Sequence, residues 1–177
     1  MKFTFRKTIP VPRETVFAFF KNPRCLRFLH EREPHIRVLR HGGSVIPGCE
    51  TWAEVIAFKI LPVILGFRHD LYDPPVRFGE NIIHGPFTKF VHIHEFLPAR
   101  GGTEIVDHLE ICLPFHYGGE IAVRWLIART VNASFALRHR ALDVLASNGV
   151  LASCAKENLD YDRRELSSVS ARSPGRD

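Results

Sequence analysis

At 177 residues with 45% hydrophobic content, the chain is the size of one domain that can bury a full core and still enclose a pocket. Its net charge of +5 is modest, and part of it lies in residues 163–177, where Arg163, Arg164, Arg172 and Arg176 face Glu165 and Asp177; this reads as solubilising charge, and no nucleic-acid partner is expected. The longest apolar run, Ile60 to Phe67, contains Pro62 and falls far short of the roughly 20 residues that cross a bilayer, so no stable membrane insertion is expected.

The alternation of Phe3, Phe5 and Lys7 against Lys2, Thr4, Arg6 and Thr8 predicts a strand over Lys2 to Ile9, ended by Pro10 and Pro12. Pro12 then opens a helix through "PRETVFAFFKNP", with Val16, Phe17, Phe19 and Phe20 as its apolar positions and Pro23 as its stop. "RCLRFLHE" predicts a second short helix. From His35 to Pro114 the turns at Gly42-Gly43, Pro47-Gly48, Pro62, Pro74-Pro75, Gly85-Pro86 and Gly101-Gly102 divide the chain into about six strands, by the spacing that marks an antiparallel meander. After Gly118-Gly119 a single long helix runs from Glu120 to about Ser147, closed by Asn148-Gly149. Ile121, Trp125, Ala128, Asn132, Phe135, His139 and Leu142 follow helical spacing and are expected to form the stripe that covers the sheet. Residues 1–150 are expected to be the folded domain, and 151–177 a C-terminal extension that is largely disordered.

The stretch "GPFTKFVHIHEF" (85 to 96) carries the chemistry. On a strand, Phe90, His92, His94 and Phe96 share one face, and Val91, Ile93 and Glu95 the other. On the next strand Thr103, Ile105, Asp107, Leu109, Ile111 and Leu113 form the apolar face, which places the Asp107 carboxylate inward, where it needs a partner. A histidine one strand away is the obvious one. Between Val76 and His84, Phe78, Glu80, Ile82 and His84 are expected on one face, bringing Glu80 to the same region.

With "VPRETVFAFFKNPRCL", "DPPVRF", "GPFTKFVHIHEF", "GGTEIVDHLEICLP" and "FALRHRAL" in this order, residues 2 to 146 resemble the SRPBCC superfamily. START domains, Bet v 1 allergens and polyketide cyclase/dehydrase-like proteins belong to it, and the chain is most similar to its small bacterial ligand-binding-type members. The resemblance implies an α+β helix-grip fold: a seven-stranded curved antiparallel sheet wrapped around a long C-terminal helix, two short helices after the first strand, and an elongated cavity between sheet and helix. One position departs from the pattern, since the residue two beyond the Phe of "DPPVRF" tends to be Asp in the family and is Glu80 here.

The expected function is binding of a hydrophobic small molecule, lipid-, polyketide- or aromatic-like, by Phe78, Glu80, Phe90, His92, His94, Phe96, Asp107, Trp125 and Phe135. The alternative is a cyclase or dehydratase in which His92, His94, Asp107 and Glu80 move protons in the same cavity. Three readings of these four residues stay open: a metal site, an acid/base site, or a self-satisfied buried network that anchors a ligand. No metal or other cofactor is expected, because an H-x-H pair offers two confident ligands where a closed site needs about four. Cys25, Cys49, Cys112 and Cys154 form no CxxC pair, and the first residues lack the apolar core of a signal peptide, so a cytoplasmic location with reduced thiols is expected.

Overall fold

A computed structural model of the chain describes residues 1–58, 60–114 and 119–156, without the side chains of 119–123. The order is β1 (Lys2–Ile9), α1 (Arg13–Lys21), α2 (Pro23–His30), β2 (Ile36–His41), β3 (Glu50–Ala57), β4 (Leu61–Asp73), β5 (Arg77–His84), β6 (Lys89–Ala99), β7 (Gly102–Cys112) and α3 (Gly119–Ser147). The seven strands form one antiparallel sheet in the order β1-β7-β6-β5-β4-β3-β2. Strands β2 to β7 are therefore a meander of successive neighbours, and β1 adds to its far side. This is the α+β helix-grip architecture.

Local chemistry accounts for the elements. β1 alternates as expected, with Phe3, Phe5 and Lys7 partly buried and Lys2, Thr4, Arg6 and Thr8 exposed. Pro12 stands at the N-cap of α1, and the Asn22 side chain accepts a hydrogen bond from the Arg24 amide to cap α2. Gly149 ends α3 with φ at +73°, a conformation that a residue with a Cβ rarely adopts.

The apolar core is divided. One cluster joins α1, α2 and the C-terminal half of α3 to Phe78, Phe96 and Ile105; the other packs Ile127 and Phe135 of α3 on Leu109 and Ile111 of β7. Phe135 stacks on Phe5 of β1, with ring centroids 4.0 Å apart. A helical segment over 150–156 follows α3 and buries Leu151, Cys154 and Ala155, so packed chain continues past the expected boundary at 150. The expected disordered tail lies, from 157 onward, outside the described residues.

The long helix is where it was expected, but its phase is not. Phe135 and Leu142 are buried as expected, whereas Asn132 is exposed and Trp125 is 67% exposed. The inward stripe is Ile127, Val131, Phe135, Arg138 and Leu142. Trp125 lies two residues before Ile127, about 200° around the helix at 3.6 residues per turn, and so faces away from the sheet. Ile121, also expected in the stripe, is among the side chains outside the description.

Candidate functional site

The strand register builds the site. His69 of β4 stands opposite Glu80 of β5, and Glu80 opposite His92 of β6. One step along, Phe78 of β5 stands opposite His94 of β6, and His94 opposite Asp107 of β7. Residues directly opposite on neighbouring antiparallel strands have Cβ atoms about 5 Å apart, so these registers place two cross-strand rows of side chains side by side on the concave face.

Asp107 is the anchor. It is 2% exposed, and His92 Nε2 donates to its Oδ1 over 3.1 Å. His94 Nδ1 comes to 2.5 Å from the same oxygen, at an angle that leaves it without a well-directed hydrogen bond. The two imidazoles lie with centroids 3.9 Å apart, and the Phe78 ring covers His94 at 4.6 Å. Glu80 sits between His92 Nδ1 and His69 Nε2, 3.7 Å from each, too far for direct hydrogen bonds but close enough for strong charge contact. Thr51 Oγ1 approaches His69 Nε2 at 3.4 Å on the other side.

The electrostatics follow from this order. Burial alone would raise the Asp107 carboxyl, but the two adjacent imidazoles outweigh it and hold it well below the ordinary carboxylate range. Burial also works against ionised Glu80; the contact with His92 and the charges of His69, His92 and His94 bring it down to about 2. Burial would lower His92, but Asp107 and Glu80 on its two nitrogens raise it above its ordinary value. His94 is pushed down to about 4 by burial and by the neighbouring His92. The cluster thus favours ionised carboxylates at Asp107 and Glu80 and a proton on His92 rather than on His94.

Glu80, His92 and His94 line a cavity of about 280 Å³ between the sheet, α2 and α3. Its other walls are mainly apolar, among them Phe67, Phe90, Leu109, Ile111, Ile127 and Phe135. A second depression of about 410 Å³ between α2 and β2 shares Leu26, His30, Ile36, Val38 and His41 with it. Arg138 is the basic residue of the inner wall. Its Nε donates to Glu33 Oε1 over 2.9 Å, and His30 Nδ1 stands 3.1 Å from the other Glu33 oxygen. Opposite the sheet, His35 Nε2 lies 2.8 Å from Ser134 Oγ.

Of the expected ligand residues, Phe78, Glu80, Phe90, His92, His94 and Phe135 are brought together on the cavity wall. Three are not. Trp125 points outward for the reason of helical phase given above. Phe96 is fully buried against Phe17 and Phe20 of α1, at 5.6 and 5.3 Å between centroids, and belongs to the packed core beyond the cavity. Asp107 stands behind the two histidines rather than on the wall. His84 also leaves the expected face: a register shift between Gly66 and Phe67, opposite Ile82 and His84, leaves Ile83 as an extra residue, and His84 packs on the outer-face Trp52 at 5.4 Å.

Sequence reasoning missed His69 and Glu33, and left Arg138 open between the cavity mouth and an exposed helix face. His69 was discoverable from the alternation of Leu65, Phe67 and His69 on β4, and Arg138 from its spacing to Ile127, Val131 and Phe135. Glu33 shows only its spacing to His30, since its main partner, Arg138, lies 105 residues away.

No protein-family model matches the chain, and no curated protein matches it by sequence. Solved structures share its fold. The Zhui aromatase/cyclase from Streptomyces sp. R1128 superposes with a TM-score of 0.65 at 13% identity, over 85% of this chain and 95% of that one. Protein Ms6760 from Mycobacterium smegmatis has a TM-score of 0.63 at 15% identity, over 83% of this chain and 91% of that one. Ara h 8.0201, a Bet v 1 allergen, has a TM-score of 0.50 at 16% identity, over 80% of this chain and 97% of that one. The chain therefore has an SRPBCC-type helix-grip fold. Among the described residues, no helix is long and apolar enough to cross a membrane.

Proposed function

We propose that this helix-grip chain binds a hydrophobic small molecule, lipid-, polyketide- or aromatic-like, between its sheet and α3. The observation that carries the reading is the division of the core: a mainly apolar cavity lies between two packed clusters, with the Glu80, His92 and His94 row on its sheet wall. Apolar walls with a few fixed polar groups are the usual composition of a small-molecule site, the walls supplying affinity and the polar groups orientation. Glu80 and His92 would take a hydroxyl or carbonyl of the ligand, and Phe67, Phe90 and Phe135 its apolar body.

A second reading is favoured by one feature. His92, held by Asp107 and 3.7 Å from Glu80 beside the cavity, would as an imidazolium be a proton donor near an acceptor, the equipment for cyclisation or dehydration of a carbonyl compound. The aromatase/cyclase among the fold's neighbours makes that chemistry compatible with this scaffold.

Native mass spectrometry of the purified protein tests both readings. A co-purifying organic molecule is expected, and its occupancy should fall in Ala53→Leu, which fills part of the cavity from β3. Release of that molecule unchanged after prolonged incubation supports a carrier or sensor; steady conversion supports the enzyme. Occupancy indifferent to Ala53→Leu would defeat the cavity reading.

A further inference from the structure

We propose that Glu80, His92 and His94 form a mononuclear site for a first-row divalent cation of the zinc or iron(II) kind, oriented from behind by Asp107. The three residues each offer one ligand atom, and these atoms all lie within 4.8 Å of one another. Two imidazole nitrogens and one carboxylate oxygen are the ligand types such ions take.

The direction of the ring nitrogens carries the argument. Asp107 Oδ1 engages His92 through Nε2 and His94 through Nδ1. That leaves His92 Nδ1 and His94 Nε2 for the cavity side, with Glu80 Oε1 3.7 Å from His92 Nδ1. Metal-binding histidines nearly always place their second nitrogen on a carboxylate or carbonyl, which fixes ring orientation and raises ligand basicity. Here one buried carboxylate oxygen takes the His92 Nε2 hydrogen bond and stands 2.5 Å from His94 Nδ1, behind both rings. A network evolved only to satisfy Asp107 would have no need of a second carboxylate on the front of the same imidazoles.

Charge and geometry agree. A divalent ion with two neutral imidazoles and two carboxylates makes a cluster of zero net charge, the least costly state for a buried group of this size. Bonds of about 2.0 to 2.2 Å put ligand atoms about 3 Å apart, so the 3.7 Å gap between Glu80 and His92 must close by less than about 1 Å, and no separation in the set, at 4.8 Å or less, by more than about 2 Å. β5 and β6 are interior strands, which suits a preorganised site. Three protein ligands leave the remaining positions open to the cavity, the arrangement of reactive rather than purely structural sites. The expectation of no metal rested on two ligands in H-x-H; the fold adds the third from β5 and the orienting group from β7.

Chelator-stripped full-length protein, titrated with zinc by calorimetry and with cobalt(II) by visible absorption, tests the site. One ion per chain is expected, with cobalt bands of a nitrogen/oxygen site. Glu80→Gln should weaken zinc binding by at least about tenfold, and Asp107→Asn, a positioning change, by about 10- to 100-fold with stoichiometry retained. His92→Phe/His94→Phe/Asp107→Leu should abolish binding; if that variant does not fold, Glu80→Gln alone decides. Failure of the folded wild-type protein to bind zinc at 100-fold excess, or unchanged affinity in Glu80→Gln, overturns the proposal. Both outcomes are independent of whether an organic molecule co-purifies, so this site and the ligand-binding reading stand or fall separately.

Discussion

Arg138 and Glu33 are joined by a 2.9 Å hydrogen bond across 105 residues of chain, and Glu33 is fully buried. The pair ties α3 to the turn after α2, and the Arg138 guanidinium also lies 5.2 Å over the Phe135 ring. It helps to hold the rotation of α3, together with the Phe5–Phe135 stack and the His35–Ser134 contact.

Removing one partner of a buried pair strands the other charge, a loss of about 3 to 5 kcal/mol. Glu33→Gln is therefore expected to cost roughly this much in urea unfolding, whereas Glu33→Gln/Arg138→Met should recover a large part of it. Equal losses in the single and double variants would mean that the pair does not hold α3.

Acid should dissolve the same contact. Burial would raise the Glu33 carboxyl, but Arg138 and His30 outweigh it and hold it at about 2, against an ordinary value of 4.5. A folded-state value below the unfolded one contributes stability above the unfolded value, and that contribution is lost as pH falls through the folded value. Stability in wild-type protein is expected to decline between about pH 4.5 and pH 2 more steeply than in Glu33→Gln/Arg138→Met. Parallel pH profiles would contradict this.

Replacing both cavity histidines by Phe looks tolerable from the sequence, where the polar groups could simply satisfy one another. The fold makes it costly. Asp107 would keep its charge at 2% exposure with neither imidazole beside it. His92→Phe/His94→Phe is expected to lose about 3 kcal/mol or more, and adding Asp107→Leu to restore much of the loss, as read from chemical denaturation midpoints. A triple variant no more stable than the double would show that Asp107 has another partner.

The two large aromatic residues of α3 should behave oppositely. Phe135→Ala removes a ring stacked on Phe5 and is expected to cost about 3 to 5 kcal/mol. Trp125→Ala, on the exposed face, should change stability by no more than about 0.5 kcal/mol. Thermal unfolding of the two variants distinguishes them, and a large loss at Trp125 would mean that its face of α3 is covered in solution.

These contrasts also mark what the sequence makes legible. The succession of β2 to β7 follows from the spacing of the Gly and Pro turns, and the inward set His92, His94 and Asp107 from period-two alternation, which a regular strand preserves. His84 escapes because the extra residue Ile83 reverses the phase part-way along β5. The length of α3 is legible from its glycine boundaries, but its rotation is not, because Trp125 satisfies an apolar stripe as well as Ile127 does. Distant partners such as Glu33, Phe5 and His35 break that tie. Phe96 shows a further limit: alternation separates inside from outside, but cannot tell a filled core from a cavity wall.

The placement of β1 beside β7 has a consequence in time. Arg6 and Glu104, which pair across these strands, are 98 residues apart. At a synthesis rate of about 5 to 20 residues per second, β1 leaves the ribosome about 5 to 20 s before its neighbour exists. Strands β2 to β7 can zip together one hairpin at a time as they emerge, while Phe3 and Phe5 wait without a sheet to join. The first strand made is thus the last to be paired, and a newborn chain halted before residue 102 carries an orphan strand that no local contact can protect.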